Sequence, residues 1–280
     1  EERKVLAELS ALVAEEASAL NQVVAVLRAL DLALARGRYG RWLGGVEPQL
    51  EAAAEAPFRF SGLRHPLLVW QHKRAEGPPV VPISVEVSPE LRVVAITGPN
   101  TGGKTVTLKS IGLAALMARA GMLLPCSGQP SLPWCAQVLA DIGDEQSLQQ
   151  SLSTFSGHVK RIGRILEALQ RGGSPALVLL DEVGAGTDPS EGTALATALL
   201  KALADRARLT IATTHFGELK ALKYDDARFE NASVAFNPET LSPTYELLWG
   251  IPGRSNALAI ATRLGLSLIH ISEPTRLDGI

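Results

Sequence analysis

The residues best placed to do chemistry stand in Gly98-Pro-Asn-Thr-Gly-Gly-Lys104-Thr105. Their spacing is G-x-x-x-x-G-K-[ST], with an apolar run before it and a helical pattern after it. Glycines let successive backbone N–H groups curl around an anion, because no Cβ obstructs the approach. The start of a helix adds unpaired N–H donors and the positive end of its dipole. Lys104 brings a mobile charge to the β- and γ-phosphates of a nucleotide, and Thr105 offers its hydroxyl to Mg²⁺. Gly98, Pro99, Asn100, Thr101, Gly102, Gly103, Lys104, Thr105 and Val106 are therefore read as the nucleotide-binding segment. The plain alternative is a Gly-rich turn that happens to end in Lys-Thr, and the full match with both flanks argues against it.

A second group is acidic. Leu179-Leu180-Asp181-Glu182 ends an apolar run expected to be a strand beside the one that leads into the phosphate loop. An acid there holds Mg²⁺, the role assigned to Asp181, and Glu182 is placed to orient or deprotonate the attacking water. A solvated pair of acids in a turn is the bland reading. His215, in Thr213-Thr214-His215-Phe216, follows another apolar run and can reach a γ-phosphate or the attacking water, or be a bystander. Ser151-Leu-Ser153-Thr154-Phe155-Ser156-Gly157 puts hydroxyls at a helix start, where they cap the helix and can also grip phosphate. Gly184-Ala-Gly-Thr187-Asp188-Pro189 is a turn that also caps the next helix.

These residues need a scaffold. Residues 1–36 lack Gly and Pro and repeat Leu and Val at helical spacing, which predicts one or two long helices ending in the Gly37–Gly45 region. A polar linker follows at 47–57. Strands are expected at 58–70 and 80–87, then at 91–97, with a helix over 104–120 and a turn-like stretch at 125–135. Further expectations are a strand at 137–143, a helix at 156–170, a strand at 176–182, a helix at 190–205 and a strand at 208–215. A hairpin at 229–236 and 243–250 and a helix at 255–265 close the pattern. Continuous apolar strands alternating with helices predict an α/β fold with a largely parallel core sheet.

The totals limit the partners. The formal net charge is −2, so the chain lacks the overall basic footprint of an autonomous nucleic-acid binder. The two cysteines, Cys126 and Cys135, have no histidine at metal spacing, which suits a reducing cytosol; the expected location is cytoplasmic. No uninterrupted apolar run reaches the roughly 18 residues of a membrane span, and no membrane partner is expected. No Asn-Lys-x-Asp segment reads guanine. Val80 and Val81 suit either an apolar wall for a base or a buried strand.

In order along the chain, TGPNTGGKT, SLSTFSGH, LLDEVGAGTDPSEG and TTHF resemble the ATPase domain of the MutS family. GDEQSLQQSLSTFSGH, THFGELKAL and PGRSNALAIATRLGL point to its second bacterial branch. LRHPLL fits the strand by which that family enters the domain. The resemblance covers residues 1–266 and implies an ABC-type P-loop NTPase that uses ATP and Mg²⁺ in a head-to-tail homodimer. On it, residues 1–50 are a helical lever segment, 51–266 the ATPase domain, and 267–280 a stretch that does not continue the family's pattern and reads as a non-native or disordered tail, with ordinary divergence as the bland alternative. Ser153 and Thr154 map onto the loop completing the partner's ATP site, His215 onto the switch histidine, and Asp188 onto a loop that crosses the dimer interface. The family's clamp and the branch's Smr nuclease domain are not in this sequence, so the chain reads as a fragment and no nuclease activity is expected of it. For the whole protein the resemblance implies action on branched or mismatched DNA that suppresses recombination, or splitting of stalled ribosomes with contact to rRNA. A module that dimerises on nucleotide without hydrolysis is the rival from another class, and Glu182 argues against it.

Overall fold

The structure is a computed structural model that describes residues 1–52, 56–98, 102–143, 154–171, 175–237 and 242–251. Its helices are α1 (Glu2–Glu15), α2 (Ala17–Leu43), α3 (Pro66–Lys73), α4 (Lys104–Arg119), α5 (Thr154–Arg171), α6 (Pro189–Arg206) and α7 (Leu222–Asp225). Its strands are β1 (Gln49–Glu51), β2 (Phe58–Leu63), β3 (Ile83–Val87), β4 (Val93–Thr97), β5 (Ser131–Pro133), β6 (Gln137–Asp141), β7 (Ala176–Leu180), β8 (Leu209–Thr213), β9 (Phe229–Asn237) and β10 (Ser242–Trp249).

Good helix formers carry α1 and α2, and α2 passes through Gly37 and Gly40 before stopping. Gly44 ends it with φ +67, its N–H donating to the carbonyls of Gly40 and Arg41. Leu9, Leu12, Leu27 and Leu30 stay more than half exposed, and no residue of α1 is buried. By length and mean hydropathy (1.4) α2 meets the requirement for a membrane span, although Arg28 and Asp31 interrupt its apolar sequence.

The larger sheet has six strands in the order β10-β9-β4-β8-β7-β6. From β9 to β6 every pairing is parallel, and β10 returns antiparallel on β9. β4, β7 and β8 are buried throughout because helices cover both faces. Alternate residues divide between two cores. Val94, Ile96, Leu177, Leu179 and Ile211 pack with Leu108 and Ile111 of α4. Val93, Val178, Leu180 and Ala212 pack with Ile165 of α5 and Leu199, Leu200 and Leu203 of α6. Gly112 lets α4 settle on the sheet, since a Cβ there would lie 2.5 Å from Leu179 Cδ1.

The smaller sheet has the order β1-β5-β2-β3. Arg208 ties the two sheets: its guanidinium donates to the carbonyl of Ala56 at 2.7 Å and of Leu91 at 3.1 Å.

Four expectations are corrected. The strand expected at 58–70 is β2 followed by helix α3, because Pro66 takes a first-turn helix position where its missing N–H costs nothing. The linker and the turn-like stretch contain β1 and β5, which pair parallel with Gln49 opposite Ser131. Val80 and Val81 precede β3 rather than belonging to it. Lastly, β7 does not lie beside β4: β8 stands between them, with Ile96 opposite Thr213 and Leu180 opposite Ala212. The helix expected at 255–265 and residues 267–280 lie outside the described residues.

Candidate nucleotide site

β4 delivers the chain to Gly98, whose φ of +134 suits glycine alone; a Cβ there would lie 2.6 Å from Val234 Cγ2. Pro99, Asn100 and Thr101 lie outside the described residues. Gly102 is buried, and Gly103 takes φ +88 at the N-cap of α4. Lys104 begins the helix and is 2% exposed, with Nζ donating to the Gly98 carbonyl at 2.5 Å. Burial lowers the Lys104 pKa, and the charges of Glu182 and Asp181 work against that lowering. Thr105 is half-buried and Val106 is exposed.

The acids sit just past the end of β7. Asp181 is buried and accepts a hydrogen bond from Thr213 Oγ1 on β8 at 2.5 Å. The same hydroxyl accepts the N–H of Glu182 at 2.8 Å, so one threonine fixes the turn that carries both carboxylates. Glu182 holds φ +51, a backbone that non-glycine residues adopt at a cost. Its Oε1 lies 3.3 Å from His215 Nε2, both side chains being partly exposed. Lys104, Asp181, Glu182 and His215 thus meet at the carboxyl ends of β4, β7 and β8, where open parallel sheets bind ligands. The intervening β8 sets the backbones of β4 and β7 about 10 Å apart by strand spacing.

The other expected residues stand elsewhere. Asp188 is the N-cap of α6, with Oδ1 accepting from Ser190 N–H at 2.9 Å and Ser190 Oγ at 2.6 Å. Those bonds hold its carboxyl below the usual range. Thr154 is the first residue of α5, and Ser153 lies outside the described residues.

Beside the start of α4 opens a largely apolar cavity of about 290 Å³. Val80, Val81, His65, Gln71, Val106 and Tyr245 are among its walls. Its size suits one heterocycle rather than a large ligand. Burial and the Lys109 charge lower the His65 pKa. Tyr245 was hidden in the sequence as an ordinary strand aromatic. It reaches the loop because β10 changes register between Pro243 and Leu247, where Tyr245 takes φ +62. A Cβ on Gly103 would lie 3.0 Å from its ring.

Among the described residues no cluster of three or more His, Cys, Asp or Glu is arranged for a metal ion. Thr105 carries a hydroxyl and Asp181 a carboxylate, the hard oxygen donors that suit Mg²⁺.

The MutS domain V profile matches residues 94–273. The chain is 58% identical to the Endonuclease MutS2 of Synechocystis sp., over 98% of this chain and 35% of that protein. It is 50% identical to the Endonuclease MutS2 of Symbiobacterium thermophilum, over 99% of this chain and 33% of the other. Against that of Thermomicrobium roseum it is 47% identical, over 99% and 35%. The chain therefore spans about a third of the length of the curated relatives it matches.

Proposed function

This chain belongs to the MutS domain V family, and from that premise we propose that it binds and hydrolyses Mg-ATP on an ABC-type P-loop NTPase fold. Residues 51–266 form the ATPase domain in this reading, and 1–50 a helical lever. One observation supports it above the others: Lys104 is buried at the start of α4 and feels the charges of both Asp181 and Glu182. A buried cation facing two acids across a gap is a seat for a polyanion with its counter-cation.

Gly98 to Thr105 cradle the phosphates through backbone N–H groups, and Lys104 neutralises the β- and γ-oxygens. Thr105 and Asp181 hold Mg²⁺, which offsets charge building on the phosphates. Glu182 accepts a proton from a water as that water's oxygen bonds to the γ-phosphorus. The bond from that phosphorus to the bridging oxygen then breaks, leaving ADP and phosphate. His215, beside the Glu182 carboxylate, orients the same water or the γ-phosphate. The base lies in the cavity walled by Val80, Val81 and Tyr245.

Hydrolysis is coupled to an ATP-dependent head-to-tail homodimer, in which Ser153, Thr154 and Asp188 face the partner's nucleotide. In the whole cytoplasmic protein the motion acts on branched or mismatched DNA; the second reading is splitting of stalled ribosomes through rRNA contact. Glu182→Gln tests the core of this. Turnover should fall about a hundredfold or more while Mg-ATP still binds and drives dimerisation. Turnover equal to the parent's removes the base assignment, and a variant that stays monomeric in ATP removes the shared site. Pull-downs of DNA junctions and of ribosomes by the full-length protein separate the two targets.

A further inference from the structure

The site described above leaves one cluster around a buried carboxylate unused. Asp141 ends β6, and its side chain is 3% exposed. One carboxylate oxygen accepts from His158 Nδ1 at 2.7 Å, and the other is held by Arg161 Nε. His158 and Arg161 lie on successive turns at the start of α5. The main chain of Asp141 holds something else. Its carbonyl accepts the N–H of Asp181 at 2.9 Å, just beyond the pairing of Asp141 with Leu180. One residue therefore grips α5 with its carboxylate and the acid-bearing turn with its backbone. Between these two grips lies a void of only about 20 Å³, lined by Phe155, His158, Asp181, Glu182 and Gly184 among others. The two elements are thus packed closely against each other there.

We propose that Asp141, His158 and Arg161 are a positioning unit that sets the first turns of α5 against the Asp181–Glu182 turn. It makes the beginning of α5 and the hydrolytic carboxylates one mechanical piece. This rests on the reading of the site as an ATPase whose α5 start faces a partner chain. A purely stabilising role is the rival, but the Arg161 side chain is 46% exposed, and ion pairs open to solvent contribute little stability. Donors from two residues, one to each oxygen of a single carboxylate, define a geometry instead.

The test uses His158→Ala, Arg161→Ala and the conservative His158→Gln, which restores a donor to Asp141. Melting temperature, affinity for a fluorescent non-hydrolysable ATP analogue, and kcat and KM are measured in the whole chain. The two alanine variants should bind the analogue within about threefold of the parent, yet lose about tenfold or more in kcat, since small misplacements are costly. His158→Gln should recover most of that loss. The proposal is overturned if kcat stays within twofold of the parent, or falls only in step with analogue affinity or with the folded fraction.

If the parent itself binds no ATP, the function assigned above fails, and the positioning claim is judged by hydrogen exchange. His158→Ala should then speed exchange about tenfold at residues 157–161 and at the Asp181 amide together. Faster exchange in α5 alone overturns it.

Discussion

Glu182 occupies a left-handed backbone (φ +51), one of three non-glycine residues with positive φ among those described. Such a conformation costs a residue with a Cβ roughly 1–2 kcal/mol, and it persists here because Thr213 pins the adjacent groups. Glu182→Gly should therefore stabilise the fold by about 0.5–1 kcal/mol after the entropy of glycine is counted. That would appear as a melting temperature about 1–4 °C higher, together with lost turnover. A lower melting temperature would mean the turn is not strained.

Lys104 gives a second residue-level prediction. Burial lowers its folded pKa below the ordinary 10.5, so the buried ammonium destabilises the fold throughout neutral pH. As pH rises from the folded pKa toward 10.5, the folded state sheds that proton before the unfolded chain does, and stability attributable to Lys104 increases. The difference in melting temperature between the parent and Lys104→Met should change in the parent's favour across that window. It should flatten when ADP and Mg²⁺ are bound. A difference independent of pH contradicts the burial argument. These candidate residues were legible in the sequence because phosphate chemistry needs fixed residue types at fixed spacing. Tyr245 and the Asp141 cluster were not, since their partners are distant in the chain.

At the scale of elements, the acid turn depends on how α6 docks. Gly192 in α6 and Gly184 after the acids touch through their backbones: a Cβ on Gly192 would lie 2.4 Å from the Gly184 carbonyl oxygen and 3.0 Å from Phe216 Cζ. Gly192→Ala should cost about 1–3 kcal/mol by overpacking, read from the urea midpoint. A change below about 0.5 kcal/mol would show that α6 simply slides. The strands that carry the site, β4, β7 and β8, were readable as unbroken apolar runs. Their lateral order was not. Three equally apolar strands present the same pattern whatever their neighbours, so the insertion of β8 between β4 and β7 left no local trace. The break between β2 and α3 did leave one, since Pro66 marks a helix start as readily as it interrupts a strand.

For the whole molecule, the notable feature is the exposed apolar surface of α1 and the first part of α2. Contiguous exposure of that kind marks an interaction face, and it agrees with a chain that spans a third of its relatives' length. Because no residue of α1 is buried, deleting residues 1–16 should leave the melting temperature within about 1 °C and lessen concentration-dependent association in the absence of nucleotide. A large loss of stability would show that α1 supports the sheet domain. The long helices were legible from their composition, whereas their exposure was not, because an apolar face at helical spacing reads the same whether it is covered or bare.

The account stands or falls on where a nucleotide and its metal bind. Crystals grown with a non-hydrolysable ATP analogue and Mn²⁺ in place of Mg²⁺ would locate the metal by anomalous scattering. The account predicts one peak about 2.2 Å from Thr105 Oγ1, facing Asp181, with the γ-phosphate against Lys104 Nζ. Metal and phosphates found away from Lys104, with Asp181 and Glu182 facing only solvent, would contradict it.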